Sequence, residues 1–208
     1  ITELMGVAVE NVRVKIHGSK LVQEGPLLVT HWGLSGPAIL KLSAWGAKEL
    51  NELNYHFSIH INWIPGYDYD NLKNRFAELR KTSGKKIENE NFTQLPLRIW
   101  EFLLKQSGID ERLKFTDLSA KSENLLIKNL LDYTSDVKGK TTFKEEFVTA
   151  GGIELNEIES STMMSKKIPH LYFAGEVMNV DGITGGFNFQ HAWTSGWIAA
   201  NAIANDSK

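Results

Sequence analysis

There is no cysteine among the 208 residues, so disulfides, thiolate metal ligands and a cysteine nucleophile are excluded. Charge of one sign is scarce as well. The formal net charge is −2 at pH 7, which argues against binding of nucleic acid or an acidic surface over the whole chain and leaves only local patches open. No apolar run approaches the ~20 residues that cross a bilayer; the expectation is a soluble, cytoplasmic chain with no membrane partner. An initiator methionine and a leader are missing too: the chain opens on ITELMGVAVENV, directly in alternating apolar positions, as a piece that starts in mid-structure would. What is present is ordinary globular composition, 42% hydrophobic and 23% charged.

Val7, Val9, Val12, Val14 and Ile16 alternate with one interruption near Asn11, which predicts strand structure with a bulge. Gly25 to Trp32 is a second β-like run. A glycine-rich turn follows, then a helix with Pro37 in its first turn. Tyr55 to Pro65 alternates again, with Phe57, Ile59 and Ile61 on one side. From Tyr67 to about Asp136 the pattern is helical: Leu72, Phe76 and Leu79 share one face, Ile99, Phe102 and Leu103 a second, and Leu126, Leu130 and Tyr133 a third. Strand texture returns in TTFKEEFVTAGGIEL and HLYFAGE, and a long helix closes the chain. The fold class is α+β. A β-rich, barrel-like part spans 1–65, a helical subdomain 66–140, and a strand–turn–helix segment 141–208.

Several motifs have a plain structural reading. In THWGLSGPA the G-x-S-G is one residue short of a nucleophile elbow, and a tight strand-to-helix turn built on Gly33 and Gly36 is the better account. Of the six histidines only His56 and His60 lie close in sequence, and two ligands make no metal centre; no metal is expected. FLLKQSGIDERLKF has the outline of a helix–hairpin–helix, whose backbone amides can meet phosphates. Its flanks mix Asp110 and Glu111 with Arg112 and Lys114. That mixture favours a plain helical turn, and nucleic acid is not the expected partner. A non-enzymatic module that binds nucleic acid or protein through the helical subdomain stands as the alternative reading.

The stretch AGEVMNVDGITGGFNFQ is different. Glu176 ends a predicted strand, where a carboxylate can accept hydrogen bonds from ribose or ribityl hydroxyls. Asp181 and Gly182 turn the chain, Gly185 and Gly186 let backbone approach a ligand, and the last helix then presents its free N-terminal amides. A cofactor site is the favoured reading of this ordered set.

Val148 to Ala200, with Leu27 to Ser43 (LLVTHWGLSGPAILKLS), closely resembles the HI0933-like (BaiN/YhiN-type) flavoproteins. The resemblance implies an FAD-dependent, NAD(P)H-linked oxidoreductase, with a barrel-like and helical insert interrupting a Rossmann-like FAD domain. On it, the cofactor-binding residues are Gly175, Glu176, Asp181, Gly182, Thr184, Gly185, Gly186, Phe187, Asn188 and Gln190. Met164 stands where the family often has Glu, and Asn179 where it has Asp. The family's G-x-G-x-x-G is absent. The chain is therefore expected to need a missing N-terminal half of the FAD domain, supplied in cis, to hold FAD. The function expected is that of a fragment, inactive by itself, of a flavoprotein oxidoreductase acting on an unidentified small molecule; catalytic residues are not assigned.

Overall fold

The computed structural model describes residues 1–140, 148–183 and 186–206. They form two compact units: Ile1–Leu42 with Leu53–Lys140, and Ser43–Glu52 with Thr141–Lys208.

The first unit is built on a five-stranded antiparallel sheet. Its strands are β1 (Ala8–Ile16), β2 (Val22–Val29), β3 (Leu34–Ser35), β4 (His56–Asn62) and β5 (Tyr133–Lys138), in the order β3-β2-β1-β4-β5. β1 carries the expected bulge. Its register on β2 shifts between Val9 and Val12, so Glu10 and Asn11 both face water while Val9, Val12, Val14 and Ile16 stay buried. A strand with period 2 could not otherwise keep all three valines and the isoleucine on one side. The expected turn after β2 is also present, with φ +146° at Gly33 and +97° at Gly36. A Cβ on Gly36 would lie 2.8 Å from the Pro26 carbonyl oxygen, so the close approach of the hairpin requires glycine there. The helix α1 (Pro37–Trp45) starts at Pro37 as predicted.

Of three helices, α5 (Ala120–Leu131) packs on β4 and β5, and α3 (Tyr69–Thr82) and α4 (Leu97–Gln106) pack on α5, while the short α2 (Ala47–Glu52) belongs to the second unit. Asp68 caps α3 by accepting from the Asn71 amide at 2.8 Å, and Ser119 caps α5 by accepting from the Ser122 amide at 3.1 Å. Phe76, Phe92, Trp100 and Phe115 form an edge-on aromatic cluster with centroids 5.5 to 5.9 Å apart. Tyr133, expected on the α5 stripe, instead begins β5. The helix ends at Leu131, and Tyr133 to Lys138 gain a six-residue ladder with β4. The Tyr133 ring then packs 5.6 Å from Phe102 and 6.2 Å from Trp63. Alternation in YTSDVK was readable in the sequence, but the strand that rewards it lies some seventy residues earlier.

In the second unit, β6 (Ile158–Glu159) pairs with β7 (Met164–Ser165), and α6 (Gly186–Asp206) is the long closing helix. The strand expected in TTFKEEF falls on residues 141–147, outside those described. The strand expected in HLYFAGE does not form. Ser165 N–H donates to Leu171 O at 2.7 Å and Phe173 N–H to Met163 O at 2.9 Å, but both bonds lie on one side, and Gly175–Val177 closes into a 3-10 turn. A buried strand needs a ladder on each edge; this segment has one among the described residues, and Leu171 is 38% exposed. No helix among the described residues is long and apolar enough to cross a membrane.

Candidate functional site

The glycine-rich turn is held largely by its own polar groups. Gly175 N–H donates to Ser195 Oγ on α6 at 2.9 Å. Glu176 Oε1 accepts from Thr149 N–H at 3.1 Å, and Asp181 Oδ2 from Gly151 N–H at 3.3 Å. Asn188 closes the loop from the helix side: its Oδ1 accepts from Gly182 N–H at 2.8 Å, and its Nδ2 donates to Gly182 O at 3.4 Å. Gly152 is packed against the same loop. A Cβ there would meet Val177 O and the Met178 carbonyl carbon at 2.6 Å. On either side of it Ile153 N–H donates to Val177 O and Asn179 N–H to Ile153 O, both at 2.9 Å. Asn179 Nδ2 in turn donates to Glu154 Oε1 at 3.1 Å, so this Asn joins the two segments.

The structure thus brings Gly175, Glu176, Asp181, Gly182 and Asn188 together around one loop. Gly186 opens α6, Phe187 is 66% exposed, and Gln190 Nε2 donates along the helix to Thr194 Oγ1. Thr184 and Gly185 lie outside the described residues. Three buried side-chain polar atoms have no partner among the described residues, and two of them, Asp181 Oδ1 and His191 Nε2, belong to this turn and its helix. An orphaned carboxylate oxygen costs about 1–3 kcal/mol, and a ribityl or ribose hydroxyl would satisfy it. In that respect the turn fits a flavin or another sugar-bearing cofactor. Asn188 bonds the loop through both its amide atoms, and Glu176 through Oε1. Phe189, Trp193 and Trp197 follow at helical spacing on α6, each 67–69% exposed.

A second feature lies between α4 and α5. Gly108 takes φ +64°, Gly108 N–H donates to Lys105 O and Ile109 N–H to Leu104 O, each at 3.0 Å. This is a Schellman closure with Ile109 buried beneath it. A first turn follows in which Asp110 Oδ1 accepts from Arg112 N–H and Asp110 O from Leu113 N–H. A second, 3-10 turn at Phe115–Asp117 leads to the Ser119 cap. The motif is therefore helix, two turns, helix. Lys81, Lys85, Lys86, Arg112 and Lys114 stand exposed around it, and Lys86 pairs with Lys114 in an isolated β-bridge.

Arg80 locks the second turn. Its guanidinium donates to Phe115 O at 3.0 Å, to Leu118 O at 2.7 Å and to Glu123 Oε2 at 2.7 Å; Lys73 Nζ reaches Glu123 Oε1 at 2.7 Å. Burial pushes the Glu123 carboxyl up, but the hydrogen bonds from Lys73 and Arg80 outweigh it and hold the group below its ordinary range. In the sequence the basic residues between Lys73 and Lys86 are interleaved with Glu78, Glu88 and Glu90, the pattern of a solvated face. The available signal was the seven-residue spacing of Lys73 and Arg80, which puts both on one stripe of α3 facing α5.

A family profile described as the HI0933-like protein barrel and H2TH domain matches residues 1–148. Among curated proteins, the chain is 35% identical over 201 residues to a ribosomal RNA dihydrouridine synthase of Escherichia coli, covering 96% of this chain and 47% of that one. It is 29% identical to the protein of the same name from Haemophilus influenzae, covering 98% and 48%. It is 26% identical to a 3-dehydro-bile acid delta(4,6)-reductase of Clostridium scindens, covering 86% and 44%. The chain spans about half the length of the curated relatives it matches. These findings correct the expectation of a flavoprotein fragment acting on a small molecule: the relatives with 35% and 29% identity carry a name that puts their substrate in ribosomal RNA. Near-zero net charge had pointed away from nucleic acid, but it says nothing of local distribution; at the two-turn motif Lys85, Lys86 and Arg112 pair with Glu90, Glu88 and Asp110, while Lys81 and Lys114 are exposed beside them. By the match over its first 148 residues, the chain belongs to the HI0933-like family.

Proposed function

We propose that this chain serves in the reduction of a uridine in ribosomal RNA, with the two-turn motif meeting the RNA backbone and the C-terminal turn contributing to a flavin site. The observation that carries the reading is the likeness, over nearly the whole chain, to two ribosomal RNA dihydrouridine synthases. The two-turn motif supports it with exposed Lys81, Lys85, Lys86, Arg112 and Lys114 on one compact feature. Phosphate contacts of this kind orient a protein on RNA without reading its sequence.

Converting uridine to dihydrouridine saturates one carbon–carbon double bond, so a hydride and a proton must both arrive at the base. A reduced flavin, reloaded by NAD(P)H, is the chemical class that supplies the hydride. Asp181 would hold a sugar hydroxyl of the cofactor through its free Oδ1, and the first amides of α6 would favour an electron-rich carbonyl. The proton cannot come from a thiol of this chain, which has no cysteine. The exposed face of Phe189, Trp193 and Trp197 supports packing of further protein surface, such as the half of the relatives outside the matched span.

The test is to incubate the protein with FAD, NADPH or NADH and an unmodified ribosomal RNA transcript, then digest the RNA and weigh its nucleosides. A uridine heavier by two hydrogens is expected. Unchanged uridines in the presence of bound, reducible flavin would overturn the RNA reading.

A further inference from the structure

The water-facing side of the sheet carries a chain of titratable groups that neither the glycine turn nor the two-turn motif uses. His17, just past β1, places Nδ1 2.9 Å from Nε2 of His60 on β4, and His60 Nδ1 lies 2.7 Å from Asp132 Oδ1. The two rings stack with centroids 5.2 Å apart. Asp132 is brought there by the end of α5, where its φ of −152° breaks the helix and starts β5.

Hydrogen-bond chemistry fixes the direction of this chain. An ionised carboxylate only accepts, so His60 Nδ1 carries a proton and donates to Asp132. In neutral His60 the other nitrogen then accepts, so His17 Nδ1 must donate to it. What is left free is His17 Nε2, an acceptor at the exposed end. Adding a proton there turns it into a cationic donor without breaking either bond of the chain, and Asp132 compensates the charge from the far end.

The surroundings make that proton count. Lys15 sits opposite His60 in the β1–β4 register and two residues before His17 on the same face; Thr134 flanks His60 from β5. His17 N–H donates to Ser58 O, and Ser58 Oγ donates to Asp136 Oδ1 at 2.8 Å. Arg13 pairs with Glu24, His56 stands opposite Lys138, and Lys20 lies in the β1–β2 turn. On the strands, Arg13, Lys15 and Lys138 balance Glu10, Glu24 and Asp136, and Asp132 and Lys20 add one charge of each sign beside them. One proton on His17 therefore tips the patch from balanced to positive.

We propose that His17 Nε2, oriented by His60 and Asp132 and assisted by Lys15, is a proton-linked docking point for a phosphodiester oxygen. The RNA backbone is its source if the RNA reading above holds, and free phosphate is the other source of the same chemistry. A protonated Nε2 donates to such an oxygen and a neutral one cannot, so the contact depends on that proton.

The experiment follows a labelled ribosomal RNA hairpin by fluorescence anisotropy across a salt series at pH 6 and pH 8, with a parallel NMR titration of the histidine rings with inorganic phosphate. The wild-type protein should bind about two- to fivefold more tightly at pH 6, the size of one exposed charge contact. Its salt slope should be steeper there by about 0.7–0.9, one phosphate's worth. His17→Gln should remove both differences and match wild type at pH 8; Lys15→Gln should weaken binding at both pH values. Asp132→Asn, at a side chain 53% exposed, should shrink the pH-dependent part without unfolding the protein. RNA binding whose pH dependence survives His17→Gln overturns the site and leaves the RNA reading intact. A His17 ring shift with phosphate, and no RNA binding at either pH, supports the anion site and overturns RNA as its source.

Discussion

Replacing Glu123 by Gln should destabilise the first unit by about 2–3 kcal/mol. The Glu123 side chain is 8% exposed and binds two cations, Arg80 and Lys73, whose side chains are 29% and 33% exposed. Removing one partner of a fully buried pair costs about 3–5 kcal/mol. Here the stranded cations keep some water, and Arg80 keeps the Phe115 and Leu118 carbonyls, so the lower figure follows. In a unit of this size that is a fall in Tm of roughly 5–10 °C, read by circular dichroism and by fluorescence of buried Trp63 and Trp100. The pH dependence has a definite sign. The folded Glu123 carboxyl sits below its ordinary range, so its stabilisation is complete above the unfolded value of about 4.3 and is lost as pH falls through the folded one. The gap between wild type and Glu123→Gln should therefore be constant from pH 8 to about 5 and close in acid. A variant within 0.5 kcal/mol of wild type at neutral pH, or a gap that widens in acid, would refute the assignment of the second turn's rigidity to this cluster.

Gly108→Ala should cost about 1 kcal/mol, because its φ is +64° while nothing lies within 4 Å of the added Cβ; Gly108→Asn should cost less, and urea midpoints would show both. Gly152→Ala should cost about 2–4 kcal/mol, since the new Cβ meets backbone at 2.6 Å at a φ of +146°. Limited proteolysis should then cut first near Val177 and Met178; an unchanged pattern would count against the close approach. Asp181→Ala should weaken FAD binding about tenfold, one hydrogen bond to a buried carboxylate, measured by flavin fluorescence quenching. Equal affinity would remove Asp181 from the proposed cofactor site.

Local pattern settled much of this protein in advance. The period-2 valines of β1 and its bulge, the isoleucines of β4, and the apolar stripes of α3, α4 and α5 each follow from neighbours a few residues away, as do the Pro37 start and the Gly33–Gly36 turn. The glycine-rich turn was legible for the same reason: an Asp-Gly and a helix start leave a signature within twenty residues. What the sequence could not reveal is where long-range partners lie. Tyr133 became a strand residue because β4 offered it a ladder, and HLYFA is irregular with one edge paired among the described residues. That Glu176 Oε1 accepts from Thr149 and Asn188 bonds Gly182 is likewise decided only by the fold. Arg80 with Glu123, and His17 with His60 and Asp132, are separated by more than forty residues in the chain. Hydrogen-bond geometry and burial act on distance in space, and only the tertiary structure brings such groups within 3 Å.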